Sequence, residues 1–193
     1  AGEITEKVKN AISYFMSEGG LFTVCTGRIY QGFHLYSPEY INAPVLLGNG
    51  AMAYDYEKEK VIFDDGIGEE GFDAMNDILA SFPGISVEFY NFSKVCAVNP
   101  GECSEHHFTS QYIDFFTVGS PEEAPLPWTK VMIPAKSFSK EVQTRLALHP
   151  EINFLPTEGD YIEILKKGVD KGTGLLKLGK LLGCKKENIY AAG

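Results

Sequence analysis

The run Leu21-Phe22-Thr23-Val24-Cys25 is apolar and β-branched with no polar alternation, the pattern of a strand buried on both faces, and it stops at Thr26, Gly27 and Arg28. Ahead of it, Val8, Ala11, Ile12, Phe15 and Met16 recur at helical spacing, with Thr5 as the N-cap and Gly19-Gly20 as the stop. Helix, glycine turn and buried strand make half of a βαβ unit, in which a parallel strand precedes the helix. After a mixed stretch to Pro44, Val45-Leu46-Leu47 reads as a short strand closed by Gly48-Asn49-Gly50. Residues 53–56 and 60–63 then read as a hairpin.

The pattern changes at 66–71, which is glycine-rich and acidic. Beyond it, Phe72, Met75, Ile78, Leu79 and Phe82 form a helix stripe stopped by Pro83-Gly84, and 85–90 and 94–98 read as strands. Past the proline-rich loop Pro121 to Pro127 come a strand at 130–133, a helix through Val142 and Leu146, and strands at 152–155 and 161–165. This region reads as a mixed α+β insert with its own core. Leu175, Leu178, Leu181 and Leu182 mark a last helix, with Asp170 or Lys171 at its start and Gly183 as its C-cap, and residues 188–193 read as a further strand.

Two strands thus end in polar side chains, Thr26 and Asn49. In open α/β sheets ligands bind outside the carboxyl ends of the strands, so Thr26 presents a hydroxyl there while Gly27 lets backbone approach, and an anion is the natural guest. Lys171 adds a full charge to the unpaired N–H groups and positive dipole end of its helix. An ordinary strand ending in a turn and a solvated lysine in a glycine-rich loop are the plain alternatives.

Other motifs carry less. Gly174 to Lys180 fits the first seven positions of G-x-x-x-x-G-K-[ST], but Leu181 replaces the hydroxyl and the leucines belong to a helix, which rules against a P-loop. Gly172-x-Gly174 lacks a third glycine and a directly preceding strand, so a nicotinamide dehydrogenase has no support. Cys103, His106 and His107 lie close together without a second ligand cluster and read as surface-loop residues. Asp64-Asp65 and Glu69-Glu70 read as solvated loop charges.

Composition narrows the partners. With 44% apolar residues, the 193-residue chain fills one large domain or two small ones. A net charge of −9 and a pI near 4.9 argue against nucleic acid or an anionic membrane surface as partner, so an anionic ligand must be held locally. No apolar run approaches the ~20 residues of a membrane span, and Ala1-Gly2-Glu3 opens no signal peptide, so a soluble cytoplasmic protein is expected. The four cysteines lack a C-x-x-C pair and fit reduced thiols.

Taken in order, G-G-L-F-T-V-C-T-G-R at 19–28, P-V-L-L-G-N-G-A at 44–51 and Y-I-E-I-L-K-K-G-V-D-K-G at 161–172 resemble the haloacid dehalogenase superfamily, in particular its Cof-type phosphatases with a large α/β cap. The resemblance spans nearly the whole chain. It implies a Rossmann-like α/β core, a parallel sheet with helices on both faces, at 1–68 and 168–193, with an inserted cap at 69–167. It implies that the Thr26 hydroxyl binds the transferring phosphoryl group, that Lys171 neutralises phosphate and nucleophile, and that Asn49 and Gly27 lie at the phosphate site; Arg28 follows the motif threonine with no assigned role. The implied activity is Mg²⁺-dependent hydrolysis of small phosphorylated metabolites, of the sugar phosphate, nucleotide or flavin phosphate type, through an aspartyl-phosphate. No residues of this chain match the family's Asp-x-Asp nucleophile motif or its Mg²⁺-binding Gly-Asp motif. The expectation is therefore the interior of such a phosphatase, inactive alone, with unpaired sheet edges and an exposed face. The alternative is a catalytically silent phospho-ligand binder that keeps Thr26 and Lys171. Substrate identity and oligomeric state stay open.

Overall fold

A computed structural model describes residues 4–33, 40–136, 138–157 and 161–192. Ala1 to Glu3, the middle of the mixed stretch before Pro44, and Gly193 lie outside the described residues.

Helix α1 (Glu6–Ser17) follows Thr5 in extended conformation, but the threonine side chain makes no cap bond. Of its apolar stripe Ile12 is buried, while Val8 and Phe15 stay 46% and 48% exposed. The run at 21–26 lies parallel to β1 (Val45–Leu47): Leu46 N donates to Val24 O, Thr26 N donates to Leu46 O, and Cys25 bridges Leu46. This stretch is half-buried, not buried on both faces as its composition predicts. Among the described residues its backbone bonds go to one flank, to β1, Asn42 and Asn49, and α1 lays down little of its apolar face.

A short helix, α2 (Tyr30–Phe33), precedes β1, which pairs antiparallel with β2 (Met52–Asp55), and β2 pairs with β3 (Lys60–Asp64). This three-stranded sheet is covered on both sides, by Phe33 with Val45, Leu47, Met52 and Tyr54 on one face, and by Leu178 with Leu46 and Ala53 on the other. Asp64, read from sequence as a solvated loop charge, instead ends β3 half-buried, and Asp65 pairs with Lys177.

Next come α3 (Phe72–Ser81), β4 (Val87–Tyr90), β5 (Val95–Val98), α4 (Glu102–Ser110), β6 (Phe116–Thr117), β7 (Lys130–Pro134), α5 (Ser139–Leu146), β8 (Ile152–Pro156) and β9 (Tyr161–Lys166). Their strands form one sheet in the order β6-β5-β4-β7-β9-β8, antiparallel except between β5 and β6. The period-2 alternation of the strands divides its faces. Val87, Phe89, Val131, Ile133, Ile162 and Ile164 pack against Met75 and Ile78 of α3, Val142 and Leu146 of α5, and Trp128. Tyr90 and Met132 face the other way, with Phe108 of α4 and Ile29 from the first part of the chain. Arg145 and His149 both bond Asp77, joining α5 to α3, and the Arg145 hydrogen bond, with His149 behind it, lowers the Asp77 carboxyl to about 2.

Sequence periodicity misses α4 because its stripe is thin: Ser104 and Phe108 are its buried residues. The final helix, α6 (Lys171–Leu181), ends at Gly183 in left-handed conformation (φ +73°), with Cys184 N donating to Gly179 O. Of the strand expected at 188–193, residues 188–192 form none among the described residues. Lys186–Asn188 is a 3₁₀ turn, the side chain of Ile189 folds onto Gly179, and Tyr190 is 85% exposed. Among the described residues no helix is long and apolar enough to cross a membrane.

The two chain crossings between the sheets lie side by side. Ile67 is fully buried and exchanges backbone hydrogen bonds with Trp128 (2.7 and 2.8 Å), and Lys166 pairs with Glu70 at 2.8 Å.

Candidate active site

Thr26 is fixed through its backbone before its side chain does anything. Its N–H donates to Leu46 O (2.9 Å), its carbonyl accepts from Asn49 N (2.9 Å), and its hydroxyl oxygen accepts from Arg28 N (3.2 Å). Gly48 N donates to Arg28 O, so the 26–28 loop is laced to the turn that ends β1. Asn49 sits in that turn with φ +55°, a conformation asparagine tolerates better than most side-chain-bearing residues. A Cβ on Gly27 would come 3.0 Å from Asn49 Oδ1, so glycine is what lets the two loops approach.

Helix α6 is brought to the same place by a backbone contact. A Cβ on Gly50 (φ +92°) would run into the Asp170 carbonyl, and one on Gly174 would run into the Gly50 backbone. Asp170 and Thr173 cap the helix reciprocally: Thr173 N donates to Asp170 Oδ1 (2.7 Å) and Asp170 N donates to Thr173 Oγ1 (2.9 Å). Lys171 is therefore held at the first helical position, exposed, with the helix N-terminus behind it.

Thr26, Gly27, Asn49 and Lys171 line one cavity of about 650 Å³, with Arg28 and Ile29 beside them. The structure thus brings every sequence-predicted site residue together, although Lys171 is far along the chain from the other three. The opposite wall comes from the six-stranded sheet and the segments around it: Tyr90, His107, Lys130, Met132 and Glu163, with Ser110, Gln111, Tyr112 and Thr157.

Two polar groups organise that wall. Lys130 Nζ donates to Glu163 Oε1 (2.9 Å) and to Gly27 O (3.0 Å), and Glu163 Oε2 accepts from Asn49 Nδ2 (2.5 Å). Beside them the fully buried Glu88 accepts the Tyr90 hydroxyl through Oε2 (2.6 Å), with His107 Nδ1 2.9 Å from the same oxygen. Burial, and then the neighbouring Glu88 charge, pushes the Tyr90 hydroxyl well above its ordinary pKa, so it stays a donor. Burial likewise raises the Cys25 thiol, against the pull of Lys171.

Glu88, Tyr90, Lys130 and Glu163 were not singled out from sequence, and His107, read there as a surface-loop residue, lies in helix α4. Cys103 and His106 are exposed on the same helix. The available signal was a lone charge inside an apolar strand, as in V-E-F-Y, K-V-M-I and Y-I-E-I, where period 2 assigns it a face but no partner.

The described residues do not fit a magnesium site. No group of three His, Cys, Asp or Glu among them is placed to hold a metal ion. Both Glu163 oxygens are occupied by Lys130 and Asn49, and Asp170 Oδ1 by Thr173.

A family profile described as haloacid dehalogenase-like hydrolase matches residues 1–193. The chain is 26% identical to the 5-amino-6-(5-phospho-D-ribitylamino)uracil phosphatase YitU of Bacillus subtilis, over 98% of this chain and 73% of that protein. Among solved structures, a haloacid dehalogenase-like hydrolase from Bacteroides thetaiotaomicron superposes with a TM-score of 0.81 at 18% identity, covering 99% of this chain and 75% of that one. The HAD subclass IIB sugar phosphatase BT4131 superposes with a TM-score of 0.76 at 19% identity, covering 96% and 71%. At these identities the structural likeness establishes a shared α/β fold.

Proposed function

The chain belongs to the haloacid dehalogenase-like hydrolases, and on that premise we propose that it is the phosphate-binding and cap portion of a phosphomonoesterase acting on small phosphorylated metabolites. The observation that carries this reading is the convergence of Thr26, Gly27, Asn49 and Lys171 on one cavity, reached by different elements. A hydroxyl donor, a close backbone, a lysine and a helix N-terminus are the groups that stabilise charge spread over a transferring phosphoryl. In this reading Thr26 Oγ1 donates to a phosphoryl oxygen and the Lys171 ammonium offsets the dianion. Asn49 and Gly27 shape the loop that receives it.

The six-stranded unit, residues 69–167, is proposed as a cap that closes over the substrate, excludes water and selects the leaving group. Its two adjacent crossings at 66–68 and 167–168 give the hinge. A cavity of about 650 Å³ is of metabolite size. The relatives named for a ribitylamino-uracil phosphate and for sugar phosphates support that substrate class.

Phosphoryl transfer in this reading also needs an aspartate nucleophile and carboxylates for Mg²⁺, and the described residues at the cavity do not provide them. We assign both to sequence flanking these 193 residues. The expected result is no magnesium-dependent hydrolysis of p-nitrophenyl phosphate by the 193-residue chain and clear hydrolysis when its flanking coding sequence is included. Turnover by the 193 residues alone overturns the assignment of the nucleophile. Phosphate binding without turnover in the longer protein replaces the enzyme with a silent phospho-ligand binder.

A further inference from the structure

Lys130 and Glu163 bridge the two walls of the cavity, and we propose that they are positioning residues: a buried ion pair that holds the Gly27 carbonyl and the Asn49 side chain in register when the six-stranded unit closes. The inference rests on the reading that Thr26, Asn49 and Lys171 surround the phosphate.

Both residues are buried, at 8% and 5% exposure, inside strands whose neighbours are apolar. The register of β7 on β9 sets Met132 opposite Glu163, so Lys130, two residues before Met132, is its diagonal neighbour on the same face. Within the sheet, among the described residues, each ion hydrogen-bonds only to the other. Each partner makes one bond to the other and one bond across the cavity, Lys130 to Gly27 O and Glu163 to Asn49 Nδ2.

Burying two charges is repaid only when their remaining hydrogen-bonding capacity is met. In this structure the loop opposite meets it, so drawing the walls apart removes a bond from each ion and the pair is complete only in the closed arrangement. The far ends of those bonds are not neutral ground. Asn49 N holds the Thr26 carbonyl, and Gly27 lies against the Asn49 amide. The pair therefore acts on the groups that set where the Thr26 hydroxyl stands, without itself touching the phosphate in this reading.

Two readouts on the protein with its flanking sequence test this. The first is backbone amide exchange, which needs no catalysis. Lys130→Met and Glu163→Gln are expected to speed exchange in 24–28 and 46–51 while the centres of β4 and β9 keep their protection. The second is steady-state hydrolysis of p-nitrophenyl phosphate. Misplacing a reacting group by about an ångström costs up to ~10²-fold, so Lys130→Met is expected to lower kcat by that order with little change in KM. Lys130→Arg, which keeps both donors, is expected to restore most of the rate. Because Lys130→Met strands a buried carboxylate, Lys130→Met/Glu163→Gln is measured beside it and is expected to lose no more rate than the worse single variant. Unchanged exchange in both loops overturns the proposal, as does faster exchange throughout the six-stranded sheet, which makes the pair a fold element. Altered exchange with unchanged kcat also overturns the positioning role. If the unsubstituted protein hydrolyses no phosphomonoester, the phosphatase reading falls while the exchange result still decides the contact.

Discussion

Lys171 stands outside the leucine stripe of α6, exposed, on a first turn held by the mutual capping of Asp170 and Thr173. Replacing it removes little buried apolar surface, so its value to the fold is small. Its value to a phosphoryl transition state is large, because a charged donor aimed at developing charge is typically worth ~10²–10³ in rate. In the protein with its flanks, Lys171→Met is expected to lower kcat/KM by at least that factor while Tm moves by only a few degrees. Parallel kinetics and thermal melts check it; near-normal turnover takes Lys171 out of the site. Thr26 and Asn49 were legible in the sequence because each sits where an apolar run stops, and Lys171 because it opens a leucine-striped helix, and such ends are local features. Lys130, Glu163 and Glu88 were not, because each belongs to an otherwise apolar strand and has a charged or titrating partner distant in sequence. Period 2 gives such a residue a face but leaves unsaid whether that face meets solvent, a second charge or a cavity.

The docking of α6 on the Gly48–Gly50 turn shows how an element, not a single side chain, sets the site. Gly50 and Gly174 meet backbone to backbone, and the contact brings the helix N-terminus beside Asn49. Alanine is intrinsically better than glycine inside a helix by ~1 kcal/mol, so Gly174→Ala would stabilise α6 if propensity decided. The added Cβ meets the Gly50 backbone, which cannot rotate away, and overpacking of this kind costs about 1–3 kcal/mol. A net loss of stability is expected, read as a lower urea midpoint with unchanged slope, together with reduced turnover as Lys171 is pushed from the loop. A higher midpoint would show that the helices and turn have slack there. Element types were largely legible, since stripes and alternation carry them. The exceptions follow from packing: α4 buries too few side chains to show a stripe, 188–192 reads as a strand but pairs with none among the described residues, and 21–25 has a core strand's composition with one flank paired.

At the scale of the whole molecule, two sheets with largely separate cores meet across one cavity and two adjacent crossings, and the crossing after β3 carries a titrating group. Asp64 ends β3, and Gly66 N donates to its Oδ1 at 3.0 Å, just before Ile67 locks onto Trp128. Burial raises the Asp64 carboxyl from an ordinary 3.8 to about 6, with Asp65 adding repulsion and the Gly66 N–H working against it. A carboxyl raised in the folded state binds its proton more tightly there than in the unfolded chain. The folded state is thus favoured by this group below pH ~4, and that advantage is lost as pH rises through about 6. Above that range the ionised carboxylate is a standing cost. Asp64→Asn keeps an acceptor for Gly66 N–H and removes the titration. The Tm of the variant relative to the unsubstituted chain is expected to rise between pH 4 and 6 and to level off above. Melts of both proteins at half-unit steps across pH 3.5–7.5 give that difference directly. A difference independent of pH would mean that Asp64 titrates alike in the folded and unfolded chain, and a difference that falls with pH would mean that its ionised form is the one the crossing stabilises.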